Sequence, residues 1–186
     1  MIMKKRCEWA KDESNISYHD NEWGVPVHDD LILFEFLILE GAQAGLSWRI
    51  ILNRRDGYRI AFSNFDAVAV SKYTQNHVKK LAQNKDIIRN KLKINSAINN
   101  AKQFIKIQQE FGSFDKYLWS FVNHKPIKNK FKKHSDLPCS SIISEKLSQD
   151  LKKHGFTFVG PIICYSLMQA VGMVDDHTSN CFKYSK

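Results

Sequence analysis

Four residues near the two ends of the chain have the chemistry of metal ligands. His177 and Cys181 are four positions apart, close enough for two side chains to share one ion. Cys7 and His19 form a second pair at the other end. Together they make a Cys2His2 donor set, which zinc binds as a closed structural site with no open position for a reacting water. The Cys7–His19 pair is spaced more widely than in zinc fingers, so spacing alone fits incidental cysteines and surface histidines as well. The other cysteines read differently. Cys164 lies in the apolar run Ile162-Ile163-Cys164-Tyr165 and is expected to be a buried thiol, and Cys139 follows Pro138 in a loop with no assigned role. Without a leader, four cysteines imply thiols or ligands rather than a disulfide framework.

A second group of residues could recognise a flat cation. The stretch Tyr18-His19-Asp20-Asn21-Glu22-Trp23-Gly24 is too polar and too aromatic for ordinary core, and its plain reading is a surface turn stopped by glycine. Glu40 closes the run Leu31 to Glu40, which is apolar except at Glu35. A carboxylate there is partly desolvated unless it faces a cavity or a partner, although a solvated glutamate at a helix end fits the sequence equally well. One carboxylate with Trp9, Tyr18, Trp23 and Trp48 would suit a cationic nucleobase held between ring faces. Core packing is the competing reading, because nothing in the sequence brings these rings together.

The elements that must position these groups read as helices. Residues 1–29 read as irregular and loop-rich. Asp29-Asp30 starts a buried helix to Glu40, with carboxylates suited to the helix dipole. Gly45-Leu46-Ser47-Trp48 breaks the chain, and Ser47 can cap a helix to about Arg55. Short helices are expected near Tyr58–Phe62 and Ala67–Tyr73, then at Gln75–Ala82. A longer one runs from Lys91 to about Glu110, with Leu92, Ile94, Ile98, Ala101 and Ile105 on one face and lysines on the other. Between the last two lies Asn84-Lys85-Asp86-Ile87-Ile88-Arg89-Asn90. A hairpin between helices is a device for holding a DNA phosphate on backbone N–H groups, but an ordinary helical connection explains this glycine-free stretch equally well. A helix from Phe114 to Val122 precedes a basic loop, 124–139, with Lys125, Lys128, Lys130, Lys132 and Lys133, which reads as solvated and mobile. Ser144–Lys153 is amphipathic, and Pro161 opens a last apolar helix to about Val174. No repeat or alternating pattern occurs, so the fold class is all-α.

The 186 residues suffice for a single domain with a sizeable core. No run is long enough to span a membrane, and Met1-Ile2-Met3-Lys4-Lys5-Arg6 lacks the apolar stretch of a signal peptide, so a cytoplasmic protein is expected. A net charge of +9 points to an anionic partner such as nucleic acid, although lysine-rich proteins are often only very soluble.

Taken in order, Tyr18-His19-Asp20-Asn21-Glu22-Trp23-Gly24, Leu39-Glu40-Gly41-Ala42-Gln43-Ala44-Gly45-Leu46-Ser47-Trp48, Trp119-Ser120-Phe121-Val122-Asn123-His124, Gly155-Phe156-Thr157-Phe158-Val159-Gly160 and Ile163-Cys164-Tyr165-Ser166 closely resemble the 3-methyladenine DNA glycosylase I family. The resemblance covers about Cys7 to Cys181. It implies a helix-hairpin-helix glycosylase that hydrolyses the N-glycosidic bond of 3-methyladenine in alkylated double-stranded DNA, releases the free base and leaves an abasic site. It further implies one structural Zn2+ held by Cys7, His19, His177 and Cys181, which would join the N-terminal loop 1–29 to the C-terminal tail 175–186 in one domain, 1–186. Family base-pocket positions fall on Glu40, Tyr18, Trp48 and Trp9, with Trp23 close by, and Leu46 falls on a position that inserts into the duplex. Glu40 is the expected catalytic group, whether by holding the base or by steering water. A monomer is expected. The chain departs from the family where hairpin glycines are replaced by Asp86 and Leu92, and Asp115 is not matched to the catalytic aspartate of the wider superfamily. Two alternatives remain at this stage: a non-catalytic, zinc-stapled nucleic-acid-binding module, and a glycosylase for a broader set of alkylated purines.

Overall fold

The structure is a computed structural model and describes residues 4–184. Met1, Ile2 and Met3 of the expected leaderless start, and Ser185 and Lys186 of the tail, lie outside the described residues.

Helix α2 (Asp30–Gln43) is the axis of the molecule. Its residues from Leu33 to Ala42 are all buried, including Glu35 and Glu40. The Asp29 carboxylate caps it, accepting from the N–H groups of Leu31 and Ile32. The helix extends a turn past the expected end, so Glu40 sits inside it. The Lys93 ammonium, expected on a solvated face, instead donates to the carbonyls of Ala42 and Ala44 at 2.7 Å each. It thereby satisfies carbonyls that the helix end leaves unpaired.

Around α2 the chain forms α3 (Trp48–Leu52), α4 (Arg55–Ala61), α5 (Ala67–Ser71), α6 (Gln75–Leu81), α7 (Lys91–Phe111), α8 (Phe114–Ser120), α9 (Ile142–Lys153) and α10 (Pro161–Ala170). Of these, α3, α7, α8 and α10 pack directly on α2. The all-α expectation holds, with α7 and α9 close to their expected bounds. Ser47 occupies the N-cap position of α3 but makes no side-chain capping bond.

The expected irregular segment 1–29 contains a helix, α1 (Glu13–Asn21), capped by Asp12 through the Asn15 N–H. The sequence hid it because α1 has no apolar stripe; only Tyr18 and His19 on it are buried. The last helix is shorter than expected. α10 ends at Ala170 because the N-terminal segment takes its final carbonyls: Gly24 N–H donates to Gln169 and Val27 N–H to Val171. The residues beyond it leave the helix, and Val174–Asp175 pairs in parallel with Ile127–Lys128 as a two-residue bridge.

The connection from α6 to α7 is a hairpin that lies against α4. Tyr58 Oη accepts from the Ile88 N–H at 3.2 Å, Asn84 closes a turn onto the Asp86 N–H, and Asn90 caps α7. Gly57 lets the two backbones touch: a Cβ there would overlap the carbonyl and Cβ of Asp86. Substituting Gly57→Ala is expected to cost about 1–3 kcal/mol. Thermal melting should then show a midpoint lowered by roughly 3–10 °C; an unchanged midpoint would refute the close contact.

Candidate active site and metal cluster

Helices α1, α2, α3 and α10 surround an open cavity of roughly 500 Å³. Trp9, Tyr18, Trp23, Glu40 and Trp48 all line it. Five residues spread over forty positions of sequence therefore meet in one place. Tyr18 projects from α1, Glu40 from the last turn of α2 and Trp48 from the first residue of α3. The rings form a connected wall, with centroids 5.3 Å apart for Tyr18 and Trp48, 6.2 Å for Trp9 and Tyr18, and 5.0 Å for Trp9 and Trp23.

Glu40 is 4 % exposed, and its Oε2 has no hydrogen-bond partner among the described residues. Burial alone raises its carboxyl to about 8. Burial likewise pushes the Tyr18 phenol well above its ordinary range, and the neighbouring Glu40 adds to the effect. Trp48 Nε1 and Asn15 Oδ1 are also buried without partners at this cavity. Buried polar atoms are almost always satisfied in folded proteins. Three unsatisfied ones facing one cavity, with both donor and acceptor character, describe a site that completes its hydrogen bonds with a ligand.

Glu35, one and a half turns before Glu40, meets the opposite surroundings. Its Oε1 accepts from Arg55 Nε at 2.6 Å and from Arg59 Nε at 3.1 Å, and Arg55 also reaches Glu22 at 2.6 Å. Glu22 of the polar motif thus belongs to a structural ion network. The sequence held a faint signal for it, in arginines one turn apart at 55 and 59.

Beside the aromatic wall lies the cluster of Cys7, His19 and Cys181. All three are buried, and their ligand atoms lie within 4.8 Å of one another. The group joins the two ends of the described chain and could bind a metal ion. His19 fits this role in detail. Asp20 Oδ1 accepts from its Nδ1 at 2.8 Å, which leaves the Nε2 lone pair facing Cys181 Sγ at 3.4 Å. Desolvation lowers the His19 pKa and favours the neutral, ligating form. Asp20 is itself held by Arg6 through hydrogen bonds at 2.9, 3.0 and 2.7 Å, which pull its carboxyl down to about 2. With no cation present, burial pushes the Cys7 thiol up to about 11, and a bound dication would reverse that preference.

His177 stands next to this trio, its ring 5.1 Å from that of His19. Asp175 Oδ1 accepts from its Nδ1 at 2.8 Å, and its buried Nε2 has no partner. Carboxylates on both histidines repeat the arrangement that orients metal-bound imidazoles. Sequence reasoning passed over Asp20 and Asp175, although each lies within two residues of a candidate ligand. Trp23 packs edge-on to His177 at 4.7 Å and Trp9 to His19 at 5.3 Å, so the same rings border the cavity and the cluster. Gly24 allows this approach: its φ is +74°, and a Cβ would lie 2.9 Å from His177 Cε1.

Leu46 sits apart from the cavity lining, half-buried on the turn after α2. Ser166 and Gln169, three apart on α10, complete the opposite wall and had no assigned role.

Comparison with known proteins gives a consistent result. Residues 9–184 match the family model described as methyladenine glycosylase. The chain is 46 % identical over 181 residues to DNA-3-methyladenine glycosylase 1 of Escherichia coli (strain K12), covering 97 % of each. Among solved structures, a 3-methyladenine DNA glycosylase I superposes with a TM-score of 0.95 at 43 % identity, covering 97 % of this chain and 100 % of the other. A tyrosine-to-phenylalanine variant of a 3-methyladenine DNA glycosylase I, in complex with 3-methyladenine, superposes at 0.94 with 35 % identity, covering 99 % of each.

The burial of Glu40 has a thermodynamic consequence in the ligand-free protein. Its pKa is raised in the folded state, so below about 4.5 the carboxyl is protonated folded or unfolded and carries no penalty. As pH rises towards about 8, ionisation favours the unfolded chain and stability is lost. Glu40→Gln removes that loss. Its melting midpoint is expected to exceed that of the wild type by an amount that grows from pH 5 to pH 8.5; a pH-independent difference would contradict the buried carboxyl.

Proposed function

The chain belongs to the methyladenine glycosylase family, and from that premise we propose how this site divides the work of excision. The protein is a DNA-3-methyladenine glycosylase, removing 3-methyladenine from DNA. The observation that carries the division of labour is the unpartnered Glu40 carboxyl buried among indole and phenol rings.

The damaged nucleotide swings out of alkylated double-stranded DNA into the cavity. Methylation at N3 makes the base cationic, so its glycosidic bond is already weak. Trp9, Tyr18, Trp23 and Trp48 offer ring faces to that cation, each good contact contributing on the order of 1–2 kcal/mol. Glu40 accepts hydrogen bonds from the amino edge of the base. Near neutral pH the empty site holds Glu40 largely protonated, and a cationic ring restores its charge. Neutral adenine gives no such compensation, so discrimination arises where the base binds. The C1′–N9 bond then breaks, its electron pair neutralises the ring, and water adds to C1′ as it loses a proton. Free 3-methyladenine and an abasic site remain. Leu46, at the turn between α2 and α3, enters the duplex where the base has left.

The metal of the Cys7, His19 and Cys181 cluster is a structural zinc, with His177 as fourth ligand. The orphaned His177 Nε2 and the two carboxylate-oriented imidazoles support this reading. Zinc there would neutralise the thiolates and hold Trp9 and Trp23 against the cavity; it takes no part in the reaction. The chain works as a cytoplasmic monomer and a single domain, in keeping with one hydrophobic cluster that runs from Cys7 to Cys181.

Incubation with methylated duplex DNA, followed by identification of the released bases, tests the reading. Release of 3-methyladenine alone is expected. Added 7-methylguanine would mean a broader glycosylase, and no release would leave a binding module. Glu40→Gln should slow excision on the order of 100- to 1,000-fold; wild-type rates would remove Glu40 from its role. Metal analysis of gently purified protein should return about one zinc per chain, falling in Cys181→Ser. Finding no zinc in the wild type would overturn the four-ligand site.

A further inference from the structure

The lysine-rich segment between α8 and α9 is fixed in place, contrary to its reading as a mobile loop. Ile127 N–H donates to Met173 O at 2.9 Å, Asn129 N–H to Asp175 O at 3.0 Å, and Ser179 N–H returns to Phe131 O at 2.8 Å. Alternate residues therefore bind the C-terminal tail. Their side chains, Ile127, Asn129 and Phe131, are half-buried. Asn129 Nδ2 donates to Asp176 Oδ1 at 2.6 Å. Asp176 is fully buried and also accepts from Tyr165 Oη at 2.8 Å and Gln169 Nε2 at 2.7 Å on α10. One carboxylate thus ties the segment to a helix that lines the cavity.

In extended chain, successive side chains face opposite ways. Lys128 and Lys130 accordingly share the outer face, Lys132 follows at the bend that ends the extended stretch, and all three are exposed. None of their ammonium groups is paired with a carboxylate among the described residues. Lys128 and Lys130 are about 6.6 Å apart, two residues of extended chain. Phosphates of one DNA strand advance about 3.4 Å along the duplex axis while winding around it, so neighbours lie roughly 6–7 Å apart and this spacing matches successive phosphates. The same segment continues into His134 and Leu137, which line the cavity. The row of charges therefore leads to the place where a base would enter.

We infer that Lys128, Lys130 and Lys132 form a track that binds the phosphates of one DNA strand beside the base pocket. The inference rests on the protein's acting on DNA, and it assigns a face of the molecule to that partner. Three consecutive, unpaired ammonium groups on an anchored backbone lose less freedom on binding than the same lysines on a floppy loop. The affinity they contribute comes from release of DNA counterions and is independent of sequence.

The test compares the full-length triple variant Lys128→Gln, Lys130→Gln, Lys132→Gln with a charge-matched control, Lys102→Gln, Lys106→Gln, Lys116→Gln, drawn from exposed lysines of α7 and α8. Binding to undamaged duplex DNA is measured by fluorescence anisotropy across a salt series. The track variant should lower the slope of log affinity against log salt by about 2.7. Wild type should then lose roughly 40-fold more affinity than this variant between 50 and 200 mM salt. The single variant Lys130→Gln should lower the slope by about 0.9. The control should change it by much less than the track variant does. An unchanged slope in the track variants, or an equal fall in the control, would overturn the assignment. Because the duplex is undamaged, failure of the wild type to release 3-methyladenine would count against the enzymatic reading and leave this result standing.

Discussion

The molecule is organised around two carboxylates buried on a single apolar helix. An ionised carboxylate taken out of water costs several kcal/mol unless paired. Glu35 on α2 is paired with Arg55 and Arg59, and the network reaches Glu22 as well. This ties α4 and the end of α1 to the central helix. Glu40, on the same helix, has no cationic partner among the described residues, and its carboxyl is raised to about 8. Near neutral pH that shift keeps the carboxyl protonated, at a cost on the order of 3 kcal/mol to the ligand-free site. Only a partner that brings positive charge or hydrogen-bond donors recovers it. The fold thus gives the two carboxylates opposite tasks, one to hold helices together and the other to await a ligand.

Keeping Glu40 unpaired requires walls that contribute area without contributing charge, and the aromatic rings meet that need. Trp9 and Trp23 face the cavity on one side and the His19 and His177 imidazoles on the other. Their positions depend on the segment that carries the Cys7, His19 and Cys181 cluster. Arg6 holds Asp20, Asp20 holds His19, and Asp175 holds His177. The two carboxylate–imidazole links each fix one ring nitrogen, and His19 turns its other nitrogen toward Cys7 and Cys181. Segments near both ends of the described residues, where a domain is ordinarily least ordered, here form the rigid back of the pocket.

The C-terminal tail extends this rigidity outward. Asp176 is buried with three neutral donors, from Asn129, Tyr165 and Gln169. It connects the basic segment, the tail and α10 by hydrogen bonds that a hydrophobic contact could not direct. A run of lysines that composition alone would leave in solvent therefore has a definite orientation.

The sequence by itself determined the helical class, most helix starts, and the residue types of both sites. Helix-start residues, the caps Asp29 and Asn90 and the first-turn Pro161, act within one turn, so they are legible locally. The motifs also carried the family resemblance. The tertiary structure alone decided which chemistry each residue performs. Glu35 and Glu40 lie on one buried helix and look alike in sequence; arginines twenty or more positions away separate them. Helix α1 left no periodic signal because only two of its residues are buried. Lys93 and Asp176 find their partners across 51 and 47 residues. Such contacts depend on how helices pack, and burial, which sets the charge state of every group in the site, exists only after they do.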